Sequence, residues 1–134
     1  MISECKLFEI QSFQDNRGGL SVLEESSNVP FDIKRLYYLY YTKVNQVRGV
    51  HAHKKLEQII IAFAGKFEIL LDDGKTKKTF SLDRPNLGLY VSPGIWREVY
   101  PLEEDGVCAV LASRKYEKED YIHDYKDFIK YCQE

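Results

Sequence analysis

An all-β sandwich or barrel closed by one C-terminal α-helix is the fold class this sequence predicts, on three observations. Short runs rich in β-branched and aromatic residues recur along most of the chain. Turn residues punctuate them: Gly65, Asp73-Gly74, Pro85-Asn86 and Pro93-Gly94 fall where the backbone needs a positive φ or one already set by proline. Close to the end the hydrophobic period changes from strand-like to helical.

In chain order, extended segments are expected over 6–13, 19–24, 33–42, 47–53, 58–63, 66–71, 75–81, 87–91, 96–100 and 107–112, with hairpins joining most neighbours. Then Tyr121, Ile122, Tyr125, Phe128, Ile129 and Cys132 recur at the spacing of an amphipathic helix of about three turns, which should lie against the β core. His123 falls on the charged side of that stripe and reads as a solvated residue.

A chain of 134 residues suffices for one domain, so residues 1–134 are taken as one unit with a single core. Charged residues make up 30% and hydrophobic ones 44%, with a net charge of -2, which argues against disorder and against a basic field for nucleic acid. No apolar run approaches the roughly 18 residues of a membrane helix, and Met1-Ile2-Ser3-Glu4-Cys5-Lys6 lacks a signal peptide's features, so a cytoplasmic location is expected. Cys5, Cys108 and Cys132 are odd in number and far apart, which suits reduced, structural thiols.

The chemistry concentrates in His51-Ala52-His53-Lys54-Lys55-Leu56-Glu57. On a strand, His51 and His53 project from the same face, about 7 Å apart along the chain. Arg48, Lys54 and Lys55 flank them and suit an anionic ligand better than a bare metal. Strict alternation turns Arg48 away from His51 unless Gly49 marks a bulge. Upstream, alternation puts Arg35, Tyr37 and Tyr41 on one face and Leu36, Tyr38 and Tyr40 on the other, and an inward Arg35 requires an anionic partner. In Trp96-Arg97-Glu98, Trp96 offers either a stacking surface for a base or sugar or a core side chain, while Arg97 can fork onto oxygen anions.

His51-x-His53, Glu57, Gly65, Gly88 and the Pro93 turn resemble the paired strand motifs of the cupin superfamily, small jelly-roll β-sandwiches that bind metals or ligands inside the barrel. Where a metal-binding cupin carries a further histidine after the Pro-Gly turn, this chain has Trp96-Arg97-Glu98. A closer resemblance rests on 30–38, 48–58, Gly88-Leu89-Tyr90-Val91-Ser92-Pro93, Trp96-Arg97-Glu98 and Tyr116 with Asp120-Tyr121-Ile122. These runs are similar to the dTDP-4-keto-6-deoxyglucose 3,4-ketoisomerases, metal-independent cupins of nucleotide-sugar biosynthesis.

That resemblance implies a cytoplasmic homodimer with exchanged N-terminal strands, no cofactor, and a dTDP-linked 4-keto-6-deoxyhexose as substrate, its product destined for an amino sugar of a surface polysaccharide. It makes His51 the base at carbon, with His53 assisting. Moving a ketone from C4 to C3 needs one base, an enediol or enediolate, and a proton delivered to C4, which neutral imidazoles can serve. With no metal, Tyr37 and the arginines are left to stabilise the oxyanion. Arg35, Arg48 and Lys54 are the candidates for the diphosphate, and Tyr90, Trp96 and Tyr37 for the sugar or base pocket. Arg17 and Arg97 occupy positions associated in the family with the C4 configuration, and they resemble members that form opposite products. Two alternatives stay open: a metal-dependent cupin enzyme using His51, His53 and Glu57, and a non-catalytic sugar-nucleotide-binding cupin.

Overall fold

Side-chain alternation gives each strand an inward and an outward face, and the computed structural model, which describes residues 1–134, is built on that division. Its elements are β1 (Lys6–Glu9), β2 (Gln11–Asp15), β3 (Gly18–Val22), β4 (Arg35–Leu39), β5 (Arg48–His53), β6 (Gln58–Ala64), β7 (Phe67–Asp72), β8 (Lys77–Leu82), β9 (Leu87–Val91), β10 (Trp96–Pro101), β11 (Val107–Ala112), β12 (Tyr121–Ile122) and α1 (Tyr125–Gln133). They form two 5-stranded sheets, ordered β1-β9-β6-β11-β4 and β12-β5-β10-β7-β8, while β2 and β3 stand apart as a hairpin. This is the predicted β-sandwich with one C-terminal helix.

Ile60, Ala62, Leu89, Val91, Cys108 and Val110 of the first sheet meet Phe67, Ile69, Leu71, Phe80, Leu82 and Val99 of the second in one buried cluster. Burial of each large side chain of this kind is worth about 1.5–3 kcal/mol, so this layer holds the sandwich closed. The outer faces are partly covered as well. Ile59 and Ile61 pack with Ile10, Val29 and Phe31 of the N-terminal part, and Ala52 and Trp96 pack with Ile122 and Phe128 of the C-terminal part.

The connections correct the expectation of hairpins. Among sequence neighbours, β2–β3 and β7–β8 pair directly, whereas the links β4–β5, β5–β6, β6–β7, β8–β9, β9–β10, β10–β11 and β11–β12 cross between sheets. Turn residues mark where a chain reverses but not which layer it re-enters. The β6–β7 crossing is tight: Gly65 has φ +78°, and a Cβ there would lie 3.0 Å from the Gly106 Cα.

Two further boundaries differ. Segment 6–13 breaks at buried Ile10, after which the chain leaves the first sheet. Tyr121 and Ile122 are not the first helical residues but strand β12, paired with His53 and Ala52 of β5. The helix begins later because the Asp124 side chain accepts hydrogen bonds from the Lys126 and Asp127 amides and caps it there. Tyr41 also leaves the predicted face: it lies past the end of β4 with φ 55° and is 75% exposed.

Candidate active site

The site forms where apolar filling gives way, at one end of the sandwich interior, to a cavity lined by Arg35, Tyr37, Arg48, His51, Gln58, Arg97 and Tyr121 over a floor that includes Leu39, Ile60, Val99 and Val110. Each polar residue sits at an inward position of its strand. Arg48 is the instructive case. Against β10, Arg97 pairs with His51 and Val99 with Arg48, so β5 carries one extra residue between them. Gly49, at φ +62°, takes the left-handed turn of this bulge, and Arg48 shares the cavity with His51.

The histidines form a chain of contacts. His51 Nε2 and His53 Nε2 stand 3.0 Å apart with the rings nearly perpendicular, and His53 Nδ1 is 3.0 Å from Asp120 Oδ2. His53 is fully buried and Asp120 nearly so. Burial, followed by the positive charge of Arg97, pushes both imidazoles down from 6.5 to about 2, so both are neutral around pH 7.

A second network faces them. Buried Arg97 donates from Nη1 to Gln58 Oε1 and from Nη2 to the Ile95 carbonyl at 3.1 Å. Gln58 Nε2 donates to the Tyr37 hydroxyl at 2.9 Å. Burial raises the Tyr37 phenol above its ordinary value and outweighs Arg97 and Gln58, so it stays protonated as a donor. Arg35 donates to the Tyr121 hydroxyl at 3.2 Å, and its Nε is buried without a partner. No carboxylate lies within ion-pair distance of Arg35, Arg48 or Arg97. Arg97 is a buried guanidinium without a carboxylate, which is costly, and with half-buried Arg35 and exposed Arg48 at the same cavity it fits a site that takes an anion.

Of the residues singled out from sequence, His51, His53, Tyr37, Arg35, Arg48 and Arg97 come together here, and four do not. Trp96 points to the other side of β10, packs with Phe128 and donates Nε1 to Glu98 at 2.9 Å. Adjacent residues of a strand face opposite ways, so Trp96 and Arg97 cannot both enter one cavity. Tyr90 is likewise outward on β9 and donates to Glu57 Oε1 at 2.7 Å. Lys54, one residue past His53, is exposed in a groove beside Tyr131 and Asp127. Arg17 sits at the tip of the β2–β3 hairpin, 86% exposed and paired with Asp15 at 2.6 Å, away from this chain's cavity.

Glu57, engaged by Tyr90, is turned away from the histidines, so the three-ligand metal set lacks its carboxylate. Sequence reasoning passed over Gln58, Asp120 and Tyr121 as site residues. Gln58 shares inward phase with Ile60 and was legible by alternation, whereas Asp120 reaches His53 only through the pairing of β12 with β5. His123 is exposed as expected, yet it stacks on Tyr121 at 5.3 Å and lies 6.0 Å from the His51 ring.

The family model described as FdtA: WxcM-like, C-terminal matches residues 3–133. The chain is 44% identical over 128 residues to the TDP-4-oxo-6-deoxy-alpha-D-glucose-3,4-oxoisomerase of Aneurinibacillus thermoaerophilus, covering 96% of this chain and 92% of the relative. Among solved structures it is similar to a 3,4-ketoisomerase from Helicobacter canadensis, with TM-score 0.94, 41% identity and 98% of each chain covered. It is also similar to QdtA, a sugar 3,4-ketoisomerase from Thermoanaerobacterium thermosaccharolyticum in complex with TDP, with TM-score 0.94 and 36% identity over 99% of this chain and 97% of that one.

Proposed function

The chain belongs to the FdtA (WxcM-like, C-terminal) family, and from that premise we propose that it catalyses the 3,4-ketoisomerisation of a dTDP-linked 4-keto-6-deoxyhexose. The observation that carries this reading is the facing of two neutral imidazoles and three arginines without carboxylates across one cavity. His51 removes the C3 proton, and the electron pair forms the C3–C4 double bond as negative charge moves to the C4 oxygen. Tyr37 and the guanidinium of Arg97 offer donors to that oxyanion. The C3 hydroxyl gives up its proton as the C3 ketone forms, the C4 oxygen gains one, and C4 receives a proton on carbon. The isomer is thus made with no net loss of atoms or electrons. His53 assists His51, and Arg35 and Arg48 hold the diphosphate.

The enzyme acts, with residues 1–134 as one unit, as a cytoplasmic homodimer in which exchanged N-terminal strands carry the β2–β3 hairpin and its Arg17 to the other subunit's cavity. The separateness of that hairpin from both sheets supports this. The product enters deoxy-amino-sugar biosynthesis. No helix is long and apolar enough to cross a membrane. Incubation with the 4-keto sugar nucleotide in heavy water, followed by NMR of the product, tests the reading. A 3-keto product with deuterium at C4 is expected, and recovery of unchanged, undeuterated substrate would overturn it in favour of a sugar-nucleotide-binding protein without turnover.

A further inference from the structure

The His51–His53 contact leads to a carboxylate that the mechanism above does not use. Asp120 ends a short 3₁₀ turn over Lys118–Asp120 and is fixed on all sides: its carbonyl accepts the Lys54 amide at 2.9 Å, and its Oδ1 accepts the Lys55 amide at 2.7 Å. Only Oδ2 is left for His53 Nδ1, at 3.0 Å. An ionised carboxylate accepts and cannot donate, so His53 carries its proton on Nδ1. A neutral His53 then has a bare Nε2. The 3.0 Å contact between the two Nε2 atoms needs one proton, which must come from His51. Neutral His51 is left with a lone pair on Nδ1, an atom that has no hydrogen-bond partner in the chain and is not sealed from solvent.

We propose that Asp120 is a positioning residue which sets the tautomers of both histidines, so that His51 Nδ1 is the atom that takes the C3 proton. The proposal rests on the isomerase reading for its chemistry but not for its spectroscopic test. When Nδ1 gains the proton, His51 can pass its Nε2 proton to His53 Nε2, and the positive charge comes to rest beside Asp120. On proton return the relay runs backwards, so no co-reactant is needed.

Asp120→Asn inverts this logic with almost no change of shape. The Lys55 amide still requires an oxygen acceptor, so the new NH₂ faces His53 Nδ1 and forces it to accept. His53 then donates from Nε2, His51 must accept there, and neutral His51 carries its proton on Nδ1, where the base is needed. Asp120→Ala removes the partner without imposing the wrong tautomer. A merely structural role predicts that the isosteric Asn is the milder change, and a tautomer role predicts the reverse.

Nitrogen-15 NMR of histidine-labelled protein and steady-state kinetics test this together. In the wild type, His53 Nδ1 and His51 Nε2 are expected to be protonated and His51 Nδ1 bare, with the pattern inverted in Asp120→Asn. Turnover should fall about a hundredfold or more in Asp120→Asn with KM within about threefold, and less in Asp120→Ala. A protonated His51 Nδ1 in the wild-type spectrum overturns the proposal, even if Asp120→Asn fails to fold. So does Asp120→Asn keeping higher turnover than Asp120→Ala. Correct tautomers in a protein without isomerase activity would instead sink the functional reading and leave the assignment of Asp120 as tautomer-setter standing.

Discussion

Gln58 Nε2 donates a hydrogen bond to the Tyr37 hydroxyl across 2.9 Å, while its Oε1 accepts one from Arg97. One amide thus fixes its own orientation by donating on one side and accepting on the other. Because the Tyr37 oxygen is the acceptor, its own proton is free to point elsewhere, and the cavity is what it borders.

Tyr37→Phe should therefore lower kcat by about a hundredfold, the effect of losing one donor to a developing oxyanion, with KM changed only a few fold. Phenylalanine fills the same volume, so thermal melting should stay close to wild type. Unchanged kcat would remove Tyr37 from the reacting atoms.

His51→Asn keeps a polar side chain but no base. Turnover should be undetectable, while TDP affinity by calorimetry stays within a few fold, since the guanidinium groups of the cavity are untouched. Near-normal turnover would show that another group removes the C3 proton.

The histidines also predict two pH dependences. Their folded values lie near 2 against an ordinary 6.5. Between those values the unfolded chain binds more protons than the folded one, so stability is fullest above pH 6.5 and declines as pH falls from there towards about 2. The same depression keeps the free enzyme's base neutral, so log kcat/KM should show no acid limb near 6.5. A limb at that value would mean that burial and Arg97 do not govern His51.

Arg97→Met removes a buried cation that has no carboxylate partner and replaces it with a flexible apolar chain. Denaturation midpoints should hold or rise, because a desolvated unpaired charge costs several kcal/mol. Turnover should collapse in the same variant. Marked destabilisation would mean that the bonds to Gln58 and Ile95 outweigh the desolvation of the guanidinium.

Exhaustive chelation should leave turnover intact, since Glu57 is committed to Tyr90 rather than to the histidine face. Activity lost to chelation and restored by a single divalent metal would reverse that conclusion.

The sandwich was legible because alternation and turn residues are local signals, and each expected extended segment contains a strand. Layer crossings were not legible, since a turn residue is silent about the sheet entered next. Phase alone put His51 with His53, and Arg35 with Tyr37, on shared strand faces, and the sheet pairing turns those faces inward. Of the two readings open for Trp96 the structure has the core one, and Tyr90 likewise faces out, because each neighbours an inward residue on its strand. Asp120 left no local trace, because 67 residues of chain separate it from His53. Tyr121 hid in a helical stripe whose first members belong to a strand, a coincidence of spacing that only the Asp124 cap resolves.

The extra residue between Arg48 and His51 works as a frameshift in the side-chain code of β5. Downstream of it the strand reads histidine, alanine, histidine in the frame of β10, and upstream it reads in the opposite frame. Loss of a single residue such as Val50 would preserve the base and expel the cation, whereas a point change at Val50 would leave both frames intact and one at Gly49 would strain the left-handed turn that sets them. Length between these two residues, with one glycine to turn it, is what this stretch of chain holds constant.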